Sequence, residues 1–302
     1  MNKNLLFPLL IVIASSSYGI LSTIVKLAME AGYTAGEAVT SQYAFGFFLV
    51  LIITVLTQRS LPKINKRGAI TLLLGGIFTS LTGIIYGQSL IYLPASLAVV
   101  MLFQFTWIGT LIDCALKRRL PTRAETISLF VLFGGTILAA GVLDVDLSAI
   151  PLKGWVLGFI SAVTFAIFIQ INSHHVEGVN TISRTFIVSF VAFVVASLLL
   201  NPEILWNGQL STGLWKHGLA LGTFGIVLPI LLFSIAAPKV GGALSSILGA
   251  MELPVAITVS VLVLGETLTL LQVVGIIFVL LGMTLPTYIA NRRLQRIQMK
   301  NG

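Results

Sequence analysis

Charged residues are scarce in this sequence. They make up 9% of its 302 residues, whereas 57% are hydrophobic and the mean hydropathy is +1.03. An ordinary soluble domain carries about 25% charged residues. The shortage of charge therefore excludes a soluble globular protein and indicates an integral membrane protein.

Cysteine and the common catalytic motifs are also nearly absent. Cys114 is the only cysteine, which excludes an intrachain disulfide and a cysteine-rich metal site. The chain contains no HExxH, GxxxxGK or GxSxG motif and no Ser/His/Asp constellation. We therefore expect no catalytic residue, no cofactor and no metal, and we predict that the protein is not an enzyme.

Long apolar runs are what the sequence has in abundance. Crossing a bilayer takes about 20 mostly apolar residues per helix, and these runs are too long and lack the period of two that a transmembrane β-barrel needs. The predicted fold class is an all-α integral membrane protein with ten transmembrane helices. Their predicted bounds are residues 5–29, 36–57, 68–91, 94–116, 123–143, 153–175, 182–200, 214–236, 240–264 and 268–290.

The first apolar run allows a second interpretation. Lys3, the apolar residues after it and the small residues Ala14-Ser15-Ser16 are also typical of a signal peptide. However, the apolar pattern continues to Ala28 and recurs in the second half of the chain. These two observations favour a membrane helix.

The basic residues lie mostly on one side of the predicted membrane. When ten helices are threaded from an inner N-terminus, most of the 18 lysines and arginines fall in the inner breaks and the C-terminal tail. This distribution follows the positive-inside rule. The net charge of +8 therefore indicates orientation and contact with anionic lipid, and not nucleic-acid binding. We predict a multi-pass protein of the cytoplasmic membrane with both termini in the cytoplasm.

The two halves of the chain are similar to each other. A shift of about 147 residues aligns Leu74-Gly75 with Leu221-Gly222, and a shift one residue longer aligns Gly134 with Gly282. Each half then contains five helices, and an odd number makes the second copy enter the membrane from the opposite side. Two oppositely oriented copies form an inverted repeat, which is a recurrent design of secondary transporters.

This repeat predicts the organisation of the chain. The first five-helix repeat comprises residues 5–143, the second comprises residues 153–290, and a basic cytoplasmic tail follows at residues 291–302. No stretch between the helices is long enough to fold as a soluble domain. Any activity must therefore reside among the helices.

The end of the second half resembles a known family. Glu252-Leu253-Pro254-Val255, the turn Leu264-Gly265-Glu266-Thr267 and the later Gln272, Gly275 and Gly282 look like the end of an EamA domain. That domain is the repeat unit of the drug/metabolite transporter superfamily, and the resemblance covers nearly the whole chain as two copies. It implies ten helices in inverted halves and movement of small metabolites, frequently export.

Two departures from that family bear on the substrate. Ser41-Gln42-Tyr43-Ala44 stands where the family often carries an arginine, so a cation for anionic substrates is absent there. In the first half, Gln104-Phe105-Thr106 replaces the Glu-Pro pair. The resemblance therefore gives little guidance on substrate charge.

Glu252 is the first candidate functional residue, because it is the only charge in the apolar run from Val240 to Leu264. A charge at the bilayer centre costs about 2.5–3.5 kcal/mol, so the group must be neutralised, paired or hydrated. Burial favours the neutral form, which makes Glu252 a candidate proton carrier. The alternative is a structural link between helices. Small and polar residues share its helix face: Ser245, Gly249, Ala256 and Ser260.

Other polar and aromatic residues are weaker candidates for substrate contact. Gln104 and Trp107 share a helix face near the predicted middle of the membrane, and packing alone also explains them. Tyr18, Tyr86 and Ser245 are included as candidate substrate-binding residues with the same alternative. Lys26 is a candidate charge at the outer mouth, unless it pairs with Glu30 one turn later.

The function predicted from these observations is secondary active transport by alternating access. The substrate would be an amino acid or a related amphipathic metabolite, with export favoured over import and a proton as the coupling ion. The expected partners are therefore the small-molecule substrate, the proton and membrane lipid; a homodimer is left open. The alternatives are a passive facilitator or channel, and a membrane enzyme or lipid-handling protein that uses the same cavity.

The predicted topology can be tested by placing accessible tags in residues 58–67 and on the C-terminal tail. Both tags are expected on the cytoplasmic side, because the inverted repeat with five helices in each half returns the chain to the side on which it began. Detection of the two tags on opposite faces of the membrane would overturn the repeat.

Overall fold

The computed structural model describes residues 3–58, 62, 64–93, 95–139, 150–200, 202–265 and 268–301. The regular structure of these residues is helical throughout. In chain order the α-helices are α1 (Lys3–Gly19), α2 (Leu21–Glu30), α3 (Ala35–Thr57), α4 (Lys66–Ser89), α5 (Ala95–Phe103), α6 (Phe105–Leu116), α7 (Arg123–Ala139), α8 (Leu152–Ser173), α9 (Thr181–Leu199), α10 (Trp215–Gly222), α11 (Leu228–Val240), α12 (Gly242–Gly249), α13 (Glu252–Leu264) and α14 (Leu270–Asn301). A 3₁₀ turn (Pro202–Leu205) and two π-helical turns (Leu210–Leu214 and Thr223–Val227) lie between them.

Within the described residues, nine helical segments are long and apolar enough to cross a membrane. They are Leu5–Glu30, Ala35–Thr57, Lys66–Ser89, Leu97–Leu116, Leu152–Ser173, Thr181–Leu199, Leu210–Val240, Gly242–Leu264 and Leu270–Ile289. The remaining predicted helix, 123–143, contains α7, which has 17 residues and is described as far as Ala139. The all-helical membrane fold is thus confirmed, and nine of the ten predicted crossings are found.

Three of these segments are interrupted, although the sequence predicts each as one helix. The breaks lie at Ile20, at Gln104 and at Ala250–Met251. Pro254 explains the last break, because proline has no N–H to donate to the carbonyl oxygen of Ala250 four residues earlier. The backbone N–H of Leu253 donates to that oxygen instead, at 3.3 Å.

The π-helical turn Thr223–Val227 is a further irregularity within a crossing segment. A π turn leaves backbone groups displaced from the regular helical pattern. The hydroxyl of Ser17 in α1 donates a hydrogen bond to the carbonyl oxygen of Phe224 in this turn. A side chain of the first crossing segment thus satisfies the backbone of a segment more than 200 residues later.

The core forms where helices of the first half pack on helices of the second. Helix α1 packs on α11 and α13, α4 on α8 and α9, α3 on α9 and α10, α6 on α8 and α12, and α7 on α14. Phe105, Phe168 and Phe233 are among the largest fully buried side chains. The rings of Phe105 and Phe165 meet edge to face with their centroids 4.6 Å apart.

Glycines allow α7 and α14 to approach closely. A Cβ atom on Gly135 would lie 2.8 Å from the Cβ of Phe278 and 2.9 Å from the backbone nitrogen of Val279. The neighbouring Gly134 has nothing within 4 Å of the same position. The two adjacent glycines therefore face different surroundings, one the helix interface and the other open space.

The change Gly135→Ala is expected to destabilise the protein by about 1–3 kcal/mol, because the added methyl group forces α14 away. Gly134→Ala is the matched control and is expected to be neutral or slightly stabilising, since alanine favours helices more than glycine does. Thermal unfolding of the purified variants in detergent measures both effects. Equal stabilities of the two variants would contradict the close packing of α7 on α14 at Gly135.

Candidate functional site

A cavity of about 70 Å³ lies beside the breaks in the crossing segments Leu5–Glu30 and Gly242–Leu264. Its polar lining includes Tyr18, Gln42, Tyr43, Thr79, Tyr86 and Glu252. Gly19 and Gly225 also line it, so the cavity adjoins the break after α1 and the π turn that contains Gly225. Three of the helix irregularities, at Ile20, at Thr223–Val227 and at Ala250–Met251, thus adjoin one cavity.

Among the described residues that line this cavity, Glu252 is the only charged one. It begins α13, its side chain is 8% exposed, and its Oε2 atom has no hydrogen-bond partner among the described residues. The backbone of α1 comes so close that a Cβ on Gly19 would lie 2.5 Å from the carbonyl oxygen of Glu252. A buried carboxyl oxygen without a partner costs free energy, and the cost is smaller for the protonated form than for the ionised one.

Two tyrosines of the cavity differ in how their hydroxyl groups are used. Tyr43 donates to the carbonyl oxygen of Thr79 at 2.7 Å. The hydroxyl of Tyr18 is buried and has no partner among the described residues, and its ring meets Phe165 edge to face at 5.4 Å. Tyr18 and Glu252 therefore both contribute unpaired polar atoms to the same cavity.

The structure brings together three of the residues that the sequence singled out, Tyr18, Tyr86 and Glu252. Gln104 and Trp107 do not line the cavity. The indole N–H of Trp107 donates to Gln104 Oε1 at 2.8 Å, and Gln104 Nε2 donates to the carbonyl oxygen of Val100 at 3.0 Å. Their polar groups are thus occupied at the break between α5 and α6.

The other two candidates lie outside the lining. Ser245 is fully buried in α12, and its hydroxyl has no partner among the described residues. Lys26 lies in α2, next to Val25, which does line the cavity. Lys26 is partly buried there.

Several lining residues were not proposed from the sequence as substrate contacts. Gln42 and Tyr43 of α3 and Thr79 of α4 are examples. The sequence signal at these positions is the polar pair Gln42-Tyr43 within an apolar helix. The family resemblance connects this stretch only with the absence of an arginine. Threonine in a membrane helix commonly bonds to its own backbone, so Thr79 carries no signal of its own.

The side of the cavity predicted to face the cytoplasm is tightly packed. Gln170 Nε2 donates to the carbonyl oxygen of Gly109 at 2.7 Å, which joins α8 to α6. The amide of Gln170 also packs against Gly242, and Ser246 packs against Gly109, at distances that leave no room for a side chain on either glycine. Helices α6, α8 and α12 therefore close this side.

The opposite side is more open. A second cavity of about 560 Å³ lies there, and Tyr33, Glu37 and Gln88 are among its lining residues. The rim is held by Gln209 Nε2, which donates to Glu37 Oε1 at 2.6 Å. The first cavity extends toward this end, since Val39 and Leu90 line it and lie near the corresponding ends of α3 and α4.

Charged groups at the predicted cytoplasmic ends are paired, unlike Glu252. Buried Asp113 contacts Lys117 at 2.8 Å and Arg119 at 3.0 Å, and Arg119 also binds Glu125 at 2.7 Å. Hydrogen bonding to Glu125 raises the pKa of the Arg119 guanidinium above its ordinary value. Arg184 donates to the carbonyl oxygen of His174 at 3.0 Å. These groups have structural partners and leave the cavity as the candidate site.

The residues that the structure describes contain no group of three or more His, Cys, Asp or Glu that could hold a metal ion. The cavity offers one carboxyl group together with phenol, amide and hydroxyl groups. Such a set of groups is suited to hydrogen bonding and to pairing with one positive charge.

Comparison with known proteins gives a family and a fold. Residues 152–288 match the model of the EamA-like transporter family. No sequence among the curated proteins matches the chain. A solved crystal structure of another protein aligns with 97% of this chain and 99% of its own length, with a TM-score of 0.70 and 12% sequence identity. At that identity the likeness shows the fold alone.

The different use of the two tyrosine hydroxyls predicts different costs of removing them. Tyr43→Phe is expected to destabilise the protein by about 1 kcal/mol, because it removes a buried hydrogen bond. Tyr18→Phe is expected to be neutral or stabilising, because the hydroxyl that it removes is buried without a partner. Unfolding in detergent without ligand measures both. A cost for Tyr18→Phe as large as that for Tyr43→Phe would show that its hydroxyl is already bonded.

Proposed function

Residues 152–288 match the model of the EamA-like transporter family, and on that premise we propose that the protein is a secondary transporter of small amphipathic metabolites. Amino acids and related solutes are the substrate range, export is the direction, and alternating access around Glu252 is the mechanism. The observation that carries the proposal is an unpaired buried carboxyl group in a cavity at two helix breaks.

The pairing of the helices supports two inverted repeats with α7 as the fifth crossing segment. In two related halves of five segments, α1 and α8 are counterparts, as are α3 and α9, α4 and α10–α11, α6 and α12–α13, and α7 and α14. Replacing each helix by its counterpart changes the contact of α4 with α8 into that of α11 with α1, which the structure also contains. The same exchange turns α4 with α9 into α3 with α10, and α6 with α8 into α1 with α13. The pairs α3–α9, α6–α12 and α7–α14 are each formed by two counterparts. The contact pattern therefore has the symmetry that two related halves would give it.

Transport requires the helices around the cavity to move. Small-molecule pockets usually measure about 300–1,000 Å³, whereas this cavity measures about 70 Å³. The breaks at Ile20 and Ala250–Met251 and the π turn Thr223–Val227 all adjoin it. Bending at these points lets α2, α10 and α13 separate and re-close while α1, α11 and α12 keep their packing. Interrupted helices at the binding site are a common feature of secondary transporters.

Glu252 is the group that couples this movement to a proton. An ionised carboxyl group at the bilayer centre costs about 2.5–3.5 kcal/mol, and protonation removes that cost. When neither a proton nor a substrate is bound, the closed arrangement leaves the charge unsatisfied and is disfavoured. The loaded states therefore change conformation more readily than the empty ionised state.

Glu252→Gln tests the coupling in proteoliposomes loaded with candidate solutes such as leucine. The wild-type protein is expected to accumulate its substrate against a gradient when a pH difference is imposed. The variant is expected to lose at least about tenfold of this accumulation, because glutamine cannot release a proton. Glu203→Gln, at an exposed residue of the outer connection, is the matched control and should behave as wild type.

Two results would contradict the proposal. Full pH-driven accumulation by Glu252→Gln would make this carboxyl group structural. Flux through the wild-type protein that only dissipates gradients would make the protein a passive facilitator or channel.

A further inference from the structure

We propose that the cavity beside Glu252 selects solutes that carry a protonated amine and no carboxylate. The inference rests on the proposed function for the role of the cavity; of the amphipathic solutes proposed there it retains the amines and excludes the amino acids. It is drawn from the charge, the unpaired atoms and the apolar surface that line the cavity.

The charge of the lining favours a cation. Glu252 is its only charged residue, and no lysine, arginine or histidine lines the cavity in the described part of the chain. A solute carboxylate would lie near Glu252 without a positive partner, and a buried unpaired anion is strongly disfavoured. An ammonium group instead pairs with the carboxylate and removes the cost of burying it.

The unpaired atoms are acceptors, which an ammonium group with its three donors and no acceptor requires. Glu252 Oε2 and the hydroxyl oxygen of Tyr18 are both buried acceptors without partners. The rings of Tyr18, Tyr86 and Phe165 line the same cavity, and aromatic faces attract a desolvated cation. Tyr43 donates its hydroxyl proton to the carbonyl oxygen of Thr79, which leaves its own oxygen as a further acceptor in the lining.

The rest of the lining is apolar. Leu21, Val25, Val39, Val99, Leu102 and Ala256 contribute to it. An aliphatic or aromatic tail would bury its surface there with a gain of about 25 cal/mol for each Å² removed from water. The preferred solute therefore has an amine at one end and an apolar body, without a second charged group.

Proton and amine compete for the same carboxyl group. The titratable side chains that face Glu252 across the cavity are Tyr18 from α1, Tyr43 from α3 and Tyr86 from α4, and no second carboxyl group lines it in the described residues. Binding of the amine is therefore expected to strengthen as rising pH removes the proton from Glu252, up to about pH 9, since an alkylamine, like a lysine side chain, stays protonated there.

The test compares three solutes with matched apolar tails: 3-methylbutylamine, leucine and 4-methylpentanoate. Equilibrium binding to the purified full-length protein in detergent is measured for each, with radiolabelled solute and across the pH range. The amine is expected to bind at least about tenfold more tightly than leucine or the carboxylate. Tighter binding of leucine or of 4-methylpentanoate, or amine binding that weakens as the pH rises, would overturn the inference.

Substitutions locate the binding. Glu252→Gln is expected to weaken amine binding by at least about tenfold, Glu252→Asp to retain part of it, and Glu203→Gln to leave it unchanged. The melting profile of each variant in detergent confirms that it is folded. Unchanged amine binding by folded Glu252→Gln would place the amine elsewhere and overturn the inference.

Parallel measurements separate this inference from the proposed transport function. Amine binding that depends on Glu252, without flux of any of the three solutes in proteoliposomes, would support the selectivity and contradict transport. Coupled accumulation of leucine without binding of the amine would support transport and overturn the selectivity.

Discussion

The cost of burying a carboxyl group within a membrane protein is the constraint on which the centre of this structure depends. Glu252 is 8% exposed, and one of its oxygens has no hydrogen-bond partner among the described residues. Its position at the start of α13 gives partial compensation, because the N-terminus of a helix carries a positive potential. The backbone of Gly19 lies so close to the carbonyl oxygen of Glu252 that no side chain fits at position 19. The remaining imbalance is the basis of the proposed response of the site to a proton or to a positively charged solute.

Irregular backbone is tolerated at membrane depth only where protein or a cavity surrounds it. This chain follows that rule. The break produced by Pro254 and the π turn that bonds to Ser17 lie within the packed interior, and both adjoin the cavity. The long segments that pack on them come from the opposite half of the chain, so the two halves support each other's irregular regions. Regular backbone hydrogen bonds are already missing at these breaks. A conformational change that bends the chain there therefore disrupts fewer of them.

Polar groups with partners hold the helices together, whereas two residues with unpaired polar atoms line the cavity. Asp113, Arg119 and Glu125 satisfy one another at the predicted cytoplasmic end, and Gln170 bonds across the packed side of the cavity. These ion pairs and hydrogen bonds are formed in the structure described, and they hold the helices together. Unpaired buried atoms also occur elsewhere in the described residues, for example Gln170 Oε1 and Ser245 Oγ, but those of Tyr18 and Glu252 belong to residues that line the cavity.

The sequence by itself determined the membrane class and the approximate positions of nine crossing segments, because hydropathy is a property of the residues within each apolar run, and it singled out Glu252 as a candidate. It also indicated the family through residues close together in the second half. It did not determine which polar groups meet. Gln104 and Trp107, three residues apart, bond to each other, whereas Tyr43 reaches Thr79 across 36 residues. The partners of a side chain in a bundle depend on helix packing and rotation between distant segments, and only the tertiary structure decides these.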